Sequence, residues 1–415
     1  LAAATIGLLN TANALRPFSR SGYVTVPNFV TGLPTSELPL LALGVSVARV
    51  GYGLARGRIL GRAGAASVAV TALSWAGLAE LHRRGTHAGE ICDQALAEVV
   101  DRSRIEAPLP PGEVPRRPPN TLSMFAVRRH YVHEDATIPY GEHGEANLLD
   151  VWRHRDLPPD GRAPVLLQVP GGAWVSGNKE NQAYPLLSHL AARGWVCVSM
   201  SYRLAPKYPW PAQIHDVKRA LAWVKANIAD FGGDPGFVAI TGGSAGGHLA
   251  SLAALTPNDP AFQPGFEDAD TSVVAAVPVY GRYDWASHQG PGRGQFMAFL
   301  ERLVVRRPFD EQPEAYRAAS PVLRVHPDAP PFFVLHGDAD SLIPVEEARE
   351  FVEALRSVSR SPVGYAEFPG AQHAFEVFGS PRARHAAAAV ETFLNSVWSL
   401  RPAVAASGPL NGGST

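Results

Sequence analysis

Beyond residue 126 the chain alternates short runs dense in Val, Ile, Leu and aromatic residues with longer segments whose apolar positions recur every three or four residues. Compact β-rich runs bounded by turn residues read as strands, and the three-to-four spacing reads as helix. Strands are predicted at 127–133, 147–153, 164–169, 195–201, 237–241, 273–280, 331–336 and 363–368. Helices are predicted between them at 184–193, 211–229, 245–255, 345–357 and 382–400. The clearest is 211–229, where Ile214, Val217, Ala220, Leu221 and Val224 share a face behind Pro211, a residue suited to a first turn. Strands alternating with helices imply a mostly parallel sheet covered on both faces. Residues 281–329 separate the sixth and seventh strands, far beyond the usual connection of about 2–6 residues, so a cap-like insertion is expected there.

The first hundred residues follow a different pattern. Residues 38–48 and 63–79 carry no charge, and the second stretch runs for 17 residues. A membrane span needs about 20 apolar residues, so the second is borderline and the first is short unless Arg49 snorkels. Residues 1–88 hold eight Arg against only Glu37 and Glu80. Three arrangements fit: a membrane-associated helical hairpin using residues 38–81, helices packed on the following domain, or two true spans. Membrane association is the expected localisation, with a cytoplasmic or cell-envelope location as the alternative. The chain starts at Leu1, so an upstream signal or anchor would not be seen.

A proline-rich run within 105–126 reads as a stiff linker. The predicted organisation is thus an apolar helical segment at 1–104, the linker, a catalytic domain at 127–400 with a cap insertion near 281–329, and a disordered tail at 401–415. The net charge of −1 supplies no basic face for nucleic acid. Cys92 and Cys197 allow at most one disulfide, and Cys197 sits in an apolar run where a buried thiol is expected. No Cys or His spacing suggests zinc, and no cofactor is expected.

The sharpest chemical signal is Gly242-Gly243-Ser244-Ala245-Gly246-Gly247, directly after the strand at 237–241 and before the helix at 245–255. A G-x-S-x-G in that setting is a nucleophile elbow of the α/β-hydrolase fold. The tight turn strains the serine backbone and exposes its hydroxyl, and the flanking glycines remove side chains that would clash. A serine hydroxyl needs a base, which in this fold follows an acid in chain order Ser, Asp or Glu, His. His373, in Gly370-Ala371-Gln372-His373-Ala374-Phe375 between the last strand and last helix, is the expected base. Asp338 and Asp340 both lie in the loop after the seventh strand; Asp340 is the preferred acid, with Asp338 expected to bond the loop backbone. Backbone amides of Gly172, Ala173 and Ala245 are the expected oxyanion donors, the first two in Pro170-Gly171-Gly172-Ala173-Trp174 after the third strand. Trp174, Tyr283 and Trp285, with Phe296 and Phe299, are expected to wall the substrate pocket.

With these residues placed, residues 130–398 resemble the esterase/lipase group of α/β-hydrolases that holds hormone-sensitive-lipase-type carboxylesterases, kynurenine formamidases and feruloyl-esterase-like enzymes. Ser201-Tyr202-Arg203-Leu204-Ala205-Pro206 through Pro211-Ala212 is similar to the group's Y-R-L-A-P…P-x-P-A segment, and Gly232-Gly233-Asp234-Pro235 to its G-G-D-P turn. The resemblance implies structural roles for Asp216 and Asp234. An apolar segment ahead of such a domain is similar to mycobacterial-type Lip esterases. Three positions depart from the hormone-sensitive pattern: Pro170 stands where a bracing histidine is usual, Gly243 replaces an aspartate in the elbow, and the acid loop reads H-G-D-A-D-S-L-I-P. The elbow and acid-loop departures favour the feruloyl-esterase and formamidase-like branch. The implied activity is serine carboxylesterase action on small-molecule or lipid esters of short to medium acyl length. An amidase or peptidase with the same triad, or a silent membrane-associated scaffold, are the alternatives.

Overall fold

The computed structural model describes residues 1–19, 24–57, 59, 61–114, 126–290 and 292–401. Its strands are β1 (Val132–Pro139), β2 (Leu148–Trp152), β3 (Ala163–Val169), β4 (Val196–Met200), β5 (Gly233–Gly243), β6 (Ala276–Val279), β7 (Phe332–Gly337) and β8 (Val363–Phe368). They form one eight-stranded sheet in the order β1-β2-β4-β3-β5-β6-β7-β8. The pairs β1/β2 and β2/β4 are antiparallel, and every later neighbour is parallel. This is the α/β-hydrolase fold.

The helices are α1 (Ala2–Leu15), α2 (Thr25–Glu37), α3 (Pro39–Ala55), α4 (Gly61–Thr86), α5 (Ala88–Ala97), α6 (Arg128–Tyr131), α7 (Tyr184–Ala191), α8 (Ala212–Asn227), α9 (Ala245–Leu255), α10 (Arg293–Phe299), α11 (Pro313–Ala318), α12 (Glu346–Val358) and α13 (Pro381–Ser399). All seven residues of β3 are buried, as a central parallel strand requires. Its side chains alternate between two cores: Val165, Leu167 and Val169 join Ile214 and Val217 of α8 and Leu249 of α9, while Leu166 faces Leu187 of α7 and Phe393 of α13.

Three boundaries differ from the sequence reading. Residues 127–133 were expected to be a strand, but Arg128–Tyr131 form a short helix and β1 begins at Val132. Tyr131 buries its ring on the sheet core from that helical turn, so tertiary packing overrides the β-rich composition. β5 extends back through the G-G-D-P segment, because Gly233 pairs with Ala163, and β6 is confined to four residues. α5 belongs with the hydrolase core: Ala88, Cys92, Ala95 and Leu96 share one buried face against the layer holding α13. Cys92 and Cys197 are both free and buried. Much of the proline-rich linker (115–125) and the tail from 402 lie outside the described residues.

α1 to α4 pack on one another through a small core of Ala14, Leu78 and Leu81 and through polar contacts that include Thr11 Oγ1 to Ser74 Oγ at 2.8 Å, Asn13 Nδ2 donating to Asn28 O at 2.8 Å and Trp75 Nε1 donating to Ser46 Oγ at 3.0 Å. Among the described residues, one helical stretch, 61–97, is long and apolar enough to cross a membrane, and α2 and α3 meet at an 88° bend. The group is clasped to the hydrolase by Glu37 at the end of α2. The residue is 3% exposed, and its carboxylate pairs with Arg382 and accepts from Ser380 Oγ at 2.7 Å. Breaking one side of a buried ion pair costs about 3–5 kcal/mol, because the remaining charge is stranded. Glu37→Ala is therefore expected to lower the urea unfolding midpoint clearly; an unchanged midpoint would mean that this clasp does not hold in solution.

Candidate active site

Ser244 lies between the last residue of β5 and the first of α9, with φ 60° and ψ −122°. The turn is held by its amide donating to Val279 O at 3.0 Å. A Cβ on Gly246 would collide with the Val169 carbonyl, which is why the elbow needs glycine there. Among the described residues, five of the ten non-glycine residues with positive φ gather here: Ala173, Trp174, Ser244, Tyr280 and Ala374. Strain of this kind persists only where surrounding structure enforces it, and it concentrates at functional sites.

Asp340 and His373 meet across the loops that follow β7 and β8. Asp340 Oδ2 accepts from His373 Nδ1 at 2.6 Å, and Oδ1 accepts from the amides of Leu342 and Ile343, both at 2.8 Å. His336 Nε2 lies 3.4 Å from the same Oδ2. Burial alone would raise the Asp340 carboxyl, but the His373 charge and the hydrogen bonds from His336 and His373 outweigh it and hold the group well below the usual carboxylate range. The depressed value means that this carboxylate stabilises the fold above the unfolded-chain value of about 4, and that the contribution is lost as pH falls through that region towards the folded value. The stability gap between wild type and Asp340→Asn is thus expected to narrow from about pH 6 to about pH 3. A gap constant over that range, in urea melts, would contradict the assignment.

Asp338 instead accepts from the Gly370 amide at 2.6 Å, tying the two loops together. Gln372, which the sequence reading missed, performs a similar service from inside: its Oε1 accepts from Ser341 N at 2.7 Å and from His373 N at 2.9 Å. The His373 imidazole is bounded by the rings of Tyr280 at 4.6 Å and Phe29 at 5.9 Å. Adjacency to His373 in sequence was the only signal for Gln372; Tyr280 and Phe29 carried none. Ser244 Oγ makes no hydrogen bond among the described residues, so the structure pairs acid with base but leaves the serine link open. Such links are often loose without substrate and tighten when it binds.

The loop after β3 runs beside the serine: a Cβ on Gly171 would lie 3.2 Å from Ser244 Cβ. Gly172 has φ +124°, a conformation that suits glycine. The amides of Gly172, Ala173 and Ala245 donate to no group among the described residues. In place of a histidine brace, Tyr202 Oη donates to Pro170 O at 3.0 Å, and Gln182 binds both ends of Gly171, taking its amide at 2.6 Å and donating to its carbonyl at 3.2 Å.

The residues expected to wall the pocket are largely buried. Trp174 is 3% exposed and donates from Nε1 to His248 Nδ1 at 3.1 Å, while His248 Nε2 donates to Ala319 O at 2.7 Å. Burial pushes His248 down to about 3, so it is neutral with its proton on Nε2. Trp285 is fully buried and stacked on His248 at 4.6 Å, and Tyr283 is stacked on Phe351 at 4.2 Å. Trp285 thus packs behind the oxyanion loop against Trp174, whereas Tyr283 packs on α12 through Phe351. Phe296 and Phe299 remain partly buried at the edge of that core.

Asp216 and Asp234 hold backbone: Asp216 accepts from Arg203 N at 2.8 Å and from its guanidinium at 2.7 Å, and Asp234 accepts from Gly236 N at 2.9 Å.

Comparison with known proteins accords with this geometry. Residues 150–355 match the BD-FAE family model. The "probable carboxylic ester hydrolase LipM" of Mycobacterium tuberculosis is 50% identical over 414 residues, covering 99% of this chain and 95% of LipM. The chain belongs to the Lip family of carboxylic ester hydrolases. Within that family, esterase LipC of the same organism is 49% identical over 77% of this chain and 78% of its own length. A butyrate-bound thermophilic esterase from Thermogutta terrifontis is 26% identical with a TM-score of 0.52, covering 63% of this Lip-family chain and 92% of its own.

Proposed function

We propose that this Lip-family protein is a serine carboxylesterase acting on short to medium acyl esters through Ser244, His373 and Asp340. The observation that carries the reading is the buried Asp340–His373 pair set beside a strained, partly exposed Ser244 and three uncommitted amides. Asp340 fixes the imidazole tautomer with Nδ1–H towards itself, leaving Nε2 to take the serine proton. Ser244 Oγ then bonds to the ester carbonyl carbon, and the carbonyl oxygen takes negative charge towards the amides of Gly172, Ala173 and Ala245. Collapse breaks the bond to the alcohol oxygen, which receives the proton from His373; water repeats the sequence on the acyl-enzyme and releases the acid. The butyrate in the Thermogutta esterase supports a short acyl group here by analogy.

The test is hydrolysis of p-nitrophenyl esters from acetyl to long acyl, with matched anilides alongside. Turnover of esters above anilides is expected; anilide turnover exceeding ester turnover would favour an amidase.

A lipid-facing role for α1 to α4 rests on a separate observation. Of the twenty exposed large apolar side chains among the described residues, fifteen precede residue 74, including Leu40, Leu41, Val45 and Leu73. Concentrated apolar exposure marks a surface meant to be covered, and we assign that cover to lipid. Recovery of the full chain wholly in a detergent-free, high-salt soluble fraction would overturn it.

A further inference from the structure

We propose that α2 walls the leaving-alcohol side of the site and that Phe29 is a specificity-determining residue for the alcohol half of the ester. The inference rests on the serine esterase reading above and adds which part of the substrate α2 meets. Phe29 stands edge-on to the His373 imidazole, with 77° between the rings. α2 is fixed there through contacts that all fall on the base side of the site. Thr25 O accepts from Ser341 Oγ at 3.1 Å, Gly32 lies against the Gln372 amide, and Glu37 binds Ser380 and Arg382. The oxyanion loop is held by a different set: Gln182, Tyr202, and the Trp174–His248–Trp285 stack backed by the 281–329 insertion.

The chemistry distinguishes these two sides. In acylation the Ser244 Oγ–C bond forms, the C–O bond to the alcohol breaks, and the proton carried by His373 passes to the departing alcohol oxygen. That oxygen must therefore leave within hydrogen-bond reach of the imidazole, while the carbonyl oxygen faces the amides of the oxyanion loop. A ring seated on the imidazole is thereby beside the alcohol. Phe29 is itself partly buried, and its helix neighbours Val26 and Val30 are 57% and 59% exposed. This α2 surface offers an apolar alcohol chain the side chains of Val26, Phe29 and Val30.

The experiment uses the full chain and two ester series: acetyl esters of ethanol through octanol, and ethyl esters of acetate through octanoate. Phe29→Ala is expected to lower kcat/KM for octyl acetate roughly tenfold relative to ethyl acetate. The ranking of the acyl series is expected to stay unchanged, because the ring beside His373 meets the alcohol half of the ester and not the acyl chain. Phe29→Leu, which keeps apolar bulk, is expected to restore most of the octyl preference. A changed acyl ranking with an unmoved alcohol ranking would overturn the proposal, as would an alcohol ranking that neither variant moves. Wild-type protein that hydrolyses neither series would instead overturn the esterase reading on which it stands.

Discussion

Ser244→Ala is expected to reduce kcat on p-nitrophenyl butyrate by roughly 10⁴ to 10⁶-fold with little change in the unfolding midpoint. The size follows from the absence of any substitute nucleophile at the elbow: the hydroxyl is the one group that the positive-φ turn presents beside Gly171 and the free amides. The residual rate would come from substrate binding and oxyanion stabilisation, which survive without the serine. The fold should tolerate the change because the Ser244 side chain forms no hydrogen bond among the described residues, and alanine keeps the Cβ that the turn already accommodates. Activity within tenfold of wild type would remove Ser244 from the chemistry.

The two loop aspartates give the second large contrast. Asp340→Asn is expected to cost roughly 10⁴ in kcat, since an amide facing His373 Nδ1 permits the wrong tautomer and cannot stabilise imidazolium. Asp338→Asn keeps an acceptor for the Gly370 amide and is expected to cost less than about tenfold. Equal losses in both variants would mean that the loop as a whole, and not one carboxylate, supports the base. The neighbouring His336 adds to the environment of Asp340 without touching His373 through any hydrogen bond among the described residues.

Most of the hydrolase scaffold was legible from periodicity because its central strands are buried on both faces and α8, α12 and α13 are long helices with one buried face. β3, β4 and β8 fall within a residue or two of the apolar runs that predicted them. Pattern failed where a short segment answered to distant partners, as at Tyr131, whose helical turn is imposed by the sheet it packs on. The site divides along the same line. Ser244, Asp340 and His373 sit in loops whose order along the chain is prescribed by the topology, so motif and position were enough to nominate them. The braces were hidden because they come from remote elements with no motif: Gln182 and Tyr202 on the oxyanion loop, and Phe29 from a helix that the linker region separates from the catalytic domain. Trp285 and Tyr283, expected as pocket walls, are buried in stacks. An aromatic residue in a long insertion serves equally as a wall or as packing, and only the stacking partners His248 and Phe351 decide between them.

Glu37, Ser341 and Gln372 hold α2 close to His373.

The most direct measurement of the central claim is mass spectrometry of the enzyme acid-quenched within the first turnover of p-nitrophenyl butyrate, followed by peptide mapping. The account predicts a single butyryl adduct on the peptide containing Ser244, absent from Ser244→Ala. A butyryl group on any other residue, or full turnover by the alanine variant with no adduct at all, would contradict it.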